Sequence, residues 1–207
     1  RALLSARCES KLTRMSALRI KRDGPVLRVK IDKPERRNAF DAELIRELTE
    51  AFADVGDARV VVLTGDGESF CAGADIDWQR SAIDLSYDEN VEDALRLYRM
   101  LAAVDGCPAP VVAWIQGYCL GGGCGLAACV DIAVAADDAV FGFSEVKLGI
   151  IPAVISPFVL AKIGSGAARR YFLTGERFES NVALRIGLTS EIGREVELRS
   201  PAGRQLL

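Results

Sequence analysis

Apolar positions along the chain switch between continuous β-type runs and stripes at helical spacing. Val26 to Ile31 is a short β-type run that stops at Lys33-Pro34. Asp41 can cap a helix, and Leu44, Leu48, Phe52 and Val55 then fall on one face of it. Arg59 to Thr64 reads as a buried strand, Val-rich and ended by Gly65-Asp66-Gly67. The stretch from Asp77 to Glu89 is too polar for a core and predicts a mobile lid. A helix with Val91, Leu95, Tyr98 and Leu101 on its inner face follows, and Val111 to Ile115 is a second buried strand. After a glycine cluster come a small-residue helix, Leu126 to Val130, and two β-type runs, Ile132 to Ala135 and Val140 to Phe143. Helical patterns at Pro157 to Ile163, Ala167 to Leu173 and Val182 to Ile186 complete the ordered part. Strands alternating with helices predict an α/β architecture with parallel pairing.

Composition sharpens this picture mainly by exclusion. The 207 residues carry a net charge of −3, so no overall basic field is present to hold a nucleic acid, and no apolar run is long enough to cross a membrane. No histidine occurs, which removes Ser-His-Asp and Cys-His nucleophilic catalysis and every histidine-containing zinc site. Proton transfer then rests on carboxylates, Lys, Tyr, Cys or water. The six cysteines form no C-x-x-C pair and sit among apolar neighbours, the pattern of buried, reduced thiols; no metal site is expected.

The two ends differ from the middle. Residues 1 to 22 hold seven basic residues against the single acid Glu9. They are either an organellar transit segment, which implies the mitochondrial matrix, or upstream sequence before a start at Met15, which implies the cytoplasm of a bacterium. The second reading divides the chain into a leader at 1–14, a core at 15–192 and an irregular tail at 193–207.

The glycine clusters fit no nucleotide motif. From Gly121 the sixth position of G-x-G-x-x-G is Leu126, and no Gly-Lys-Ser/Thr follows. Gly164-Ser165-Gly166 lacks the spacing of a nucleophile elbow. Two readings of Gly121-Gly122-Gly123 stay open: a tight packing turn, or free N–H groups at a helix N-terminus placed for a developing oxyanion.

Three segments in order carry a family resemblance. Phe70-Cys71-Ala72-Gly73-Ala74-Asp75-Ile76 is the first, and Gln116-Gly117-Tyr118-Cys119-Leu120-Gly121-Gly122-Gly123-Cys124-Gly125-Leu126 with Asp131-Ile132 is the second. The third is Phe143-Ser144-Glu145-Val146-Lys147-Leu148-Gly149-Ile150-Ile151-Pro152. Together with Arg37-Asn38-Ala39-Phe40 and Leu173-Thr174-Gly175-Glu176-Arg177-Phe178, they resemble the crotonase (enoyl-CoA hydratase/isomerase) superfamily from about Leu18 to Ile192. The resemblance implies a repeated β-β-α superhelix, with the C-terminal trimerisation helices missing or altered. It also implies an acyl-CoA thioester substrate, no cofactor beyond that CoA, and a homotrimer or hexamer. The N–H groups of Ala74 and Gly122 would hold the thioester oxygen, and Glu145 would be the acid/base. The chain at Arg37, Ala39, Ala72, Ala74, Asp75, Ile76 and Asp77, with Gly122, would line the CoA site.

One departure bears on mechanism. The standard hydratases hold a second glutamate where this chain has Gly125. Hydration is usually pictured with two carboxylates and one water, whereas a Δ3-Δ2-enoyl-CoA isomerase needs one base. Overall likeness to bacterial hydratases, including methylglutaconyl-type ones, favours hydratase. Isomerase, a thioester hydrolase and a catalytically weak CoA-binding relative are the alternatives. Trp78 and Arg80 are candidate acyl contacts, Arg80 for a distal carboxylate. Without the resemblance, Glu145 reads as a solvated or Lys147-paired carboxylate.

Overall fold

The computed structural model describes residues 12–193. Ten strands run β1 (Leu12–Arg14), β2 (Leu18–Asp23), β3 (Val26–Ile31), β4 (Val60–Gly65), β5 (Val111–Ile115), β6 (Tyr118–Leu120), β7 (Ile132–Ala136), β8 (Val140–Gly142), β9 (Arg177–Glu179) and β10 (Glu191–Gly193). Six α-helices run α1 (Ala42–Ala53), α2 (Ile76–Ser81), α3 (Tyr87–Asp105), α4 (Gly122–Cys129), α5 (Ser156–Thr174) and α6 (Ser180–Arg185). The main sheet has the order β1-β2-β3-β4-β5-β7-β10. Its first three strands are antiparallel and the rest parallel, with Val26 opposite Val60, Val61 opposite Val111 and Val112 opposite Ile132. A second sheet, β6-β8-β9, stands beside it.

Burial explains why these segments were readable. Every residue of β5 is buried, as a strand covered on both faces must be. The stripe Leu44, Leu48 and Phe52 on α1, with Val55 just past its end, is at most 3% exposed, and Asp41 accepts the Leu44 N–H at 2.9 Å as its cap. Each such side chain adds about 1.5–3 kcal/mol by leaving water. Glu47 on the same helix is also buried, and it accepts from the Ser16 and Ala17 N–H groups at 3.2 and 2.9 Å.

Several expectations need correction. Leu12 to Arg14, assigned to the leader, form an edge strand on β2. The small-residue helix begins at Gly122, not Leu126, so the glycine run is its first turn. The Asp77 to Glu89 stretch is not a plain loop. It holds most of α2, capped by Asp75, a 3-10 turn at Ala82–Asp84 and the Ser86/Glu89 capping box that opens α3. On α3 only Leu101 of the expected inner stripe is buried; Val91, Leu95 and Tyr98 are about 40% exposed. The two helices expected between Pro157 and Leu173 are the halves of α5, broken at Gly164, whose φ is 73°.

Four cysteines are buried among the described residues, Cys71, Cys119, Cys124 and Cys129, and none is bridged. Burial pushes the Cys71 thiol up to about 12, which makes it inert. Cys8 lies outside the described residues, as does all but the start of the expected irregular tail. No described helix is long and apolar enough to cross a membrane, and no described cluster of His, Cys, Asp or Glu suits a metal ion.

Candidate active site

The site is built from backbone lacing between two chain segments. Cys71 N–H donates to Tyr118 O at 3.1 Å and Leu120 N–H to Cys71 O at 3.0 Å, which ties the 70–74 segment to β6. On the other side, Phe40 N–H donates to Gly73 O at 2.7 Å and Asp75 N–H to Phe40 O at 2.8 Å. The 70–74 segment is thus held between Phe40 and the glycine run. Close approach then dictates the glycines. A Cβ on Gly73, whose φ is 94°, would lie 2.9 Å from Leu120 O, and one on Gly122 would lie 2.9 Å from two ring carbons of Phe40.

Two N–H groups emerge from this lacing without partners. Gly121, with φ 49° and ψ −116°, turns the chain from β6 into α4, so Gly122 is the first helical residue. Its N–H belongs to the unbonded first turn, where the helix dipole is positive. Neither it nor the Ala74 N–H donates a hydrogen bond among the described residues.

Glu145 reaches the same place from the turn after β8. Its Oε1 would lie 3.2 Å from a Cβ on Gly121, one residue before the free N–H of Gly122. Its Oε2 is buried without a hydrogen-bond partner, and the expected alternative of a Lys147 ion pair is absent among the described residues. Burial raises the Glu145 pKa above the ordinary 4.5, against a smaller lowering by its own backbone N–H. A half-buried carboxylate with an idle oxygen and a raised pKa is a competent proton carrier.

The structure places the remaining candidates unevenly. Ala72 N–H donates to Arg37 O at 3.0 Å, so the Arg37–Ala39 and Ala72–Asp77 segments adjoin. Asp75 works as a cap, accepting from the Asp77 and Trp78 N–H groups at 2.9 and 3.2 Å. Asp77 pairs with Arg36 at 2.9 Å and lies 3.9 Å from Arg80, while Ile76 is exposed. Ala39 is buried, and Trp78 packs partly against the core.

Gly125 is not a flexible turn: it is helical and buried. A Cβ on it would lie 2.5 Å from Ile155 Cγ2, with Leu101 Cδ1 at 3.7 Å. Sequence reasoning missed Ile155, which fills the space a side chain at 125 would take. It also missed Asn38, fully buried, which accepts from Lys33 N–H at 3.0 Å and donates to Asp66 O and Ser69 O at 2.8 and 2.7 Å. That clamp fixes Arg37 and Asn38 at φ 52° and 56°, and an asparagine inside a family motif was its only signal. A groove of about 520 Å³ lies elsewhere, lined by Ile151, Pro152, Leu160, Phe172 and Leu173 among others, and touches none of Ala74, Gly122 or Glu145.

Comparison with known proteins identifies the family. The family model for enoyl-CoA hydratase/isomerase matches residues 21–205. The chain is 39% identical over 171 residues to the "Probable enoyl-CoA hydratase echA6" of Mycobacterium tuberculosis, covering 81% of this chain and 67% of that one. Among solved structures it overlays an enoyl-CoA hydratase from Shewanella pealeana with a TM-score of 0.87 at 36% identity, over 92% of this chain and 73% of that one. AtuE of Pseudomonas aeruginosa gives the same TM-score and identity over 92% and 75%. With its ordered motifs, its α/β crotonase fold and these relatives, the chain belongs to the enoyl-CoA hydratase/isomerase family of enzymes.

Proposed function

We propose that this enzyme hydrates the double bond of a 2-enoyl-CoA thioester through an enolate held by the Ala74 and Gly122 N–H groups, with Glu145 as the acid/base. The observation that carries the reading is Glu145 beside Gly121, its Oε2 buried and unpartnered, one residue from a free helix N-terminal N–H.

In this mechanism Glu145 accepts a proton from water as the water oxygen bonds to the β carbon. The π electrons move onto the thioester oxygen, where two preorganised donors lower the barrier by several kcal/mol. Protonated Glu145 then gives its proton to the α carbon as the enolate collapses, so the parts of one water end on the two carbons. The raised pKa, caused by burial, helps the second step. No cofactor is required beyond the CoA of the substrate. The names of the relatives favour hydration, and a cytoplasmic homotrimer or hexamer is the accompanying expectation.

A second reading, isomerisation of a 3-enoyl thioester, is favoured by Gly125. Glu145 would then take a proton from carbon 2 and return it to carbon 4. Absorbance of the conjugated thioester separates the two, since hydration lowers it with a 2-enoyl substrate and isomerisation raises it with a 3-enoyl one. Glu145→Gln should lower turnover on the active substrate by about 10²-fold or more and spare CoA-thioester affinity. A folded Glu145→Gln protein with parental rates on every thioester would overturn the assignment.

A further inference from the structure

The turn that carries Glu145 rests on the end of α5. Glu145 opens a 3-10 turn, Glu145–Leu148, and its carbonyl accepts the Ile150 N–H at 3.2 Å. None of the four residues of this turn is buried, so it has no apolar face of its own to fix it, and its place is set by its supports. Phe172 meets Phe143, two residues before Glu145, edge to face with ring centroids 4.8 Å apart. Gly175, buried and just past the helix end, lies against Val146, one residue after Glu145. A Cβ on Gly175 would be 2.8 Å from Val146 Cγ1 and 3.1 Å from Lys147 Cε. The two contacts bracket Glu145 along the chain.

The support is itself anchored. Gly175 N–H donates to Tyr171 O at 3.0 Å, and buried Tyr171 lies against Phe178 with ring centroids 4.2 Å apart. Phe178 stands opposite Phe141 on β8, the strand that leads into the Glu145 turn. Gly175 ends the helix at φ 59° and ψ 20°, a left-handed conformation that asparagine also adopts at helix ends. The closeness of Val146, more than the backbone angle, excludes a side chain there.

We infer that Gly175 is a positioning residue for Glu145: its bare Cα lets the acid/base turn seat on the end of α5, while Phe172 holds the other flank. This rests on the reading of Glu145 as the acid/base. A methyl at 175 falls roughly 1 Å inside ordinary contact with Val146. Val146 is branched at Cβ, so its methyls stay close to the backbone and the turn moves with them. Proton transfer needs a reach of about 2.6–3.2 Å, and a misplacement of about 1 Å lowers turnover by as much as about 10²-fold.

Steady-state kinetics of the full chain on a 2-enoyl-CoA and a 3-enoyl-CoA tests this, each variant being checked for folding by circular dichroism. Gly175→Ala should lower kcat by about 10- to 100-fold on the thioester the parent uses, with KM kept within about twofold. Gly187→Ala is the control: Gly187 also has a left-handed φ, 81°, but a Cβ there meets only Lys162 O at 3.6 Å, so kcat should stay near the parent's. Adding Val146→Ala to Gly175→Ala relieves the overlap and should recover most of the lost kcat, which a general loss of stability would not do. Phe172→Leu carries no backbone strain; it should lower kcat by about 10-fold at constant KM, and it decides the matter where Gly175→Ala does not fold. Gly175→Ala no slower than Gly187→Ala, no recovery in the double variant, or, where Gly175→Ala does not fold, parental kcat in Phe172→Leu overturns the inference. Parental rates in Glu145→Gln remove the acid/base reading instead, and a parent inactive on both thioesters removes both.

Discussion

A single methyl group on Gly125 is a quantitative test of how this site is packed. A Cβ there lies 2.5 Å from Ile155 Cγ2 and 2.8 Å from Ile155 Cβ, about 1 Å inside ordinary contact. Ile155 is 3% exposed and has no solvent to swing into. Overpacking of this kind costs about 1–3 kcal/mol, and replacing a helical glycine by alanine returns about 0.5–1 kcal/mol. Gly125→Ala should therefore lose about 1–2 kcal/mol. Ile155→Ala alone should lose about 2–5 kcal/mol, the range for emptying a core site. In the double variant the new methyl occupies part of the emptied space, so the total should fall short of the sum by about 1–2 kcal/mol. Urea titration read by fluorescence measures this as midpoint shifts at constant slope. Strict additivity, or a Gly125→Ala protein as stable as its parent, would refute the reasoning. Glutamate at 125 adds a carboxylate buried beside Leu101, at several kcal/mol more. A second glutamate thus requires Ile155 to give way first.

Other outcomes follow from single residues. Because the folded-state pKa of Glu145 is raised above 4.5, its contribution to stability is complete below that value and lost as pH rises through the folded pKa. Urea midpoints of the parent should decline over that window and those of Glu145→Gln should not; identical pH dependence would contradict the assignment. Turnover should climb over the same window as the base ionises, so an acid limb at or below 4.5 speaks against Glu145. Asn38→Ala breaks three hydrogen bonds in a buried site and should cost about 3 kcal/mol or more by thermal melt; a loss below 1 kcal/mol would show the clamp is dispensable. Asp75→Ala should cost α2 about 1 kcal/mol and speed hydrogen exchange at the Asp77 and Trp78 amides. Unchanged exchange would show that the Asp75 cap is dispensable.

What the sequence conveyed and what it withheld divide along physical lines. The α1 stripe and the strands Val26–Ile31 and Val111–Ile115 were legible because burial there writes a regular period. Strands of three residues, such as β6 and β9, have no period to read and exist through their partners. The first turn of α4 was misread because glycine is a poor helix former, yet Gly122 against Phe40 leaves no room for anything larger. Val91, Leu95 and Tyr98 carry the right spacing for burial but stay about 40% exposed, with Tyr98 only partly covered by Phe158 of α5, ring to ring at 5.5 Å. Motif order pointed to Ala74, Gly122 and Glu145, whereas Ile155 meets Gly125 through space from a distant segment, which local spacing cannot encode.

Phe40 joins the two halves of the proposed oxyanion site in a way that limits how they can vary. Its backbone sets the position of Gly73 and Asp75, and its ring abuts Gly122. Both donors are therefore gauged from one residue that has no polar side-chain atom. A shift in that ring moves the Gly122 side, and a shift in its backbone moves the Ala74 side. The spacing between the donors is thus a tolerance held by an aromatic side chain. Substituting Phe40 should detune the cradle for the enolate while leaving every reacting group in the sequence intact.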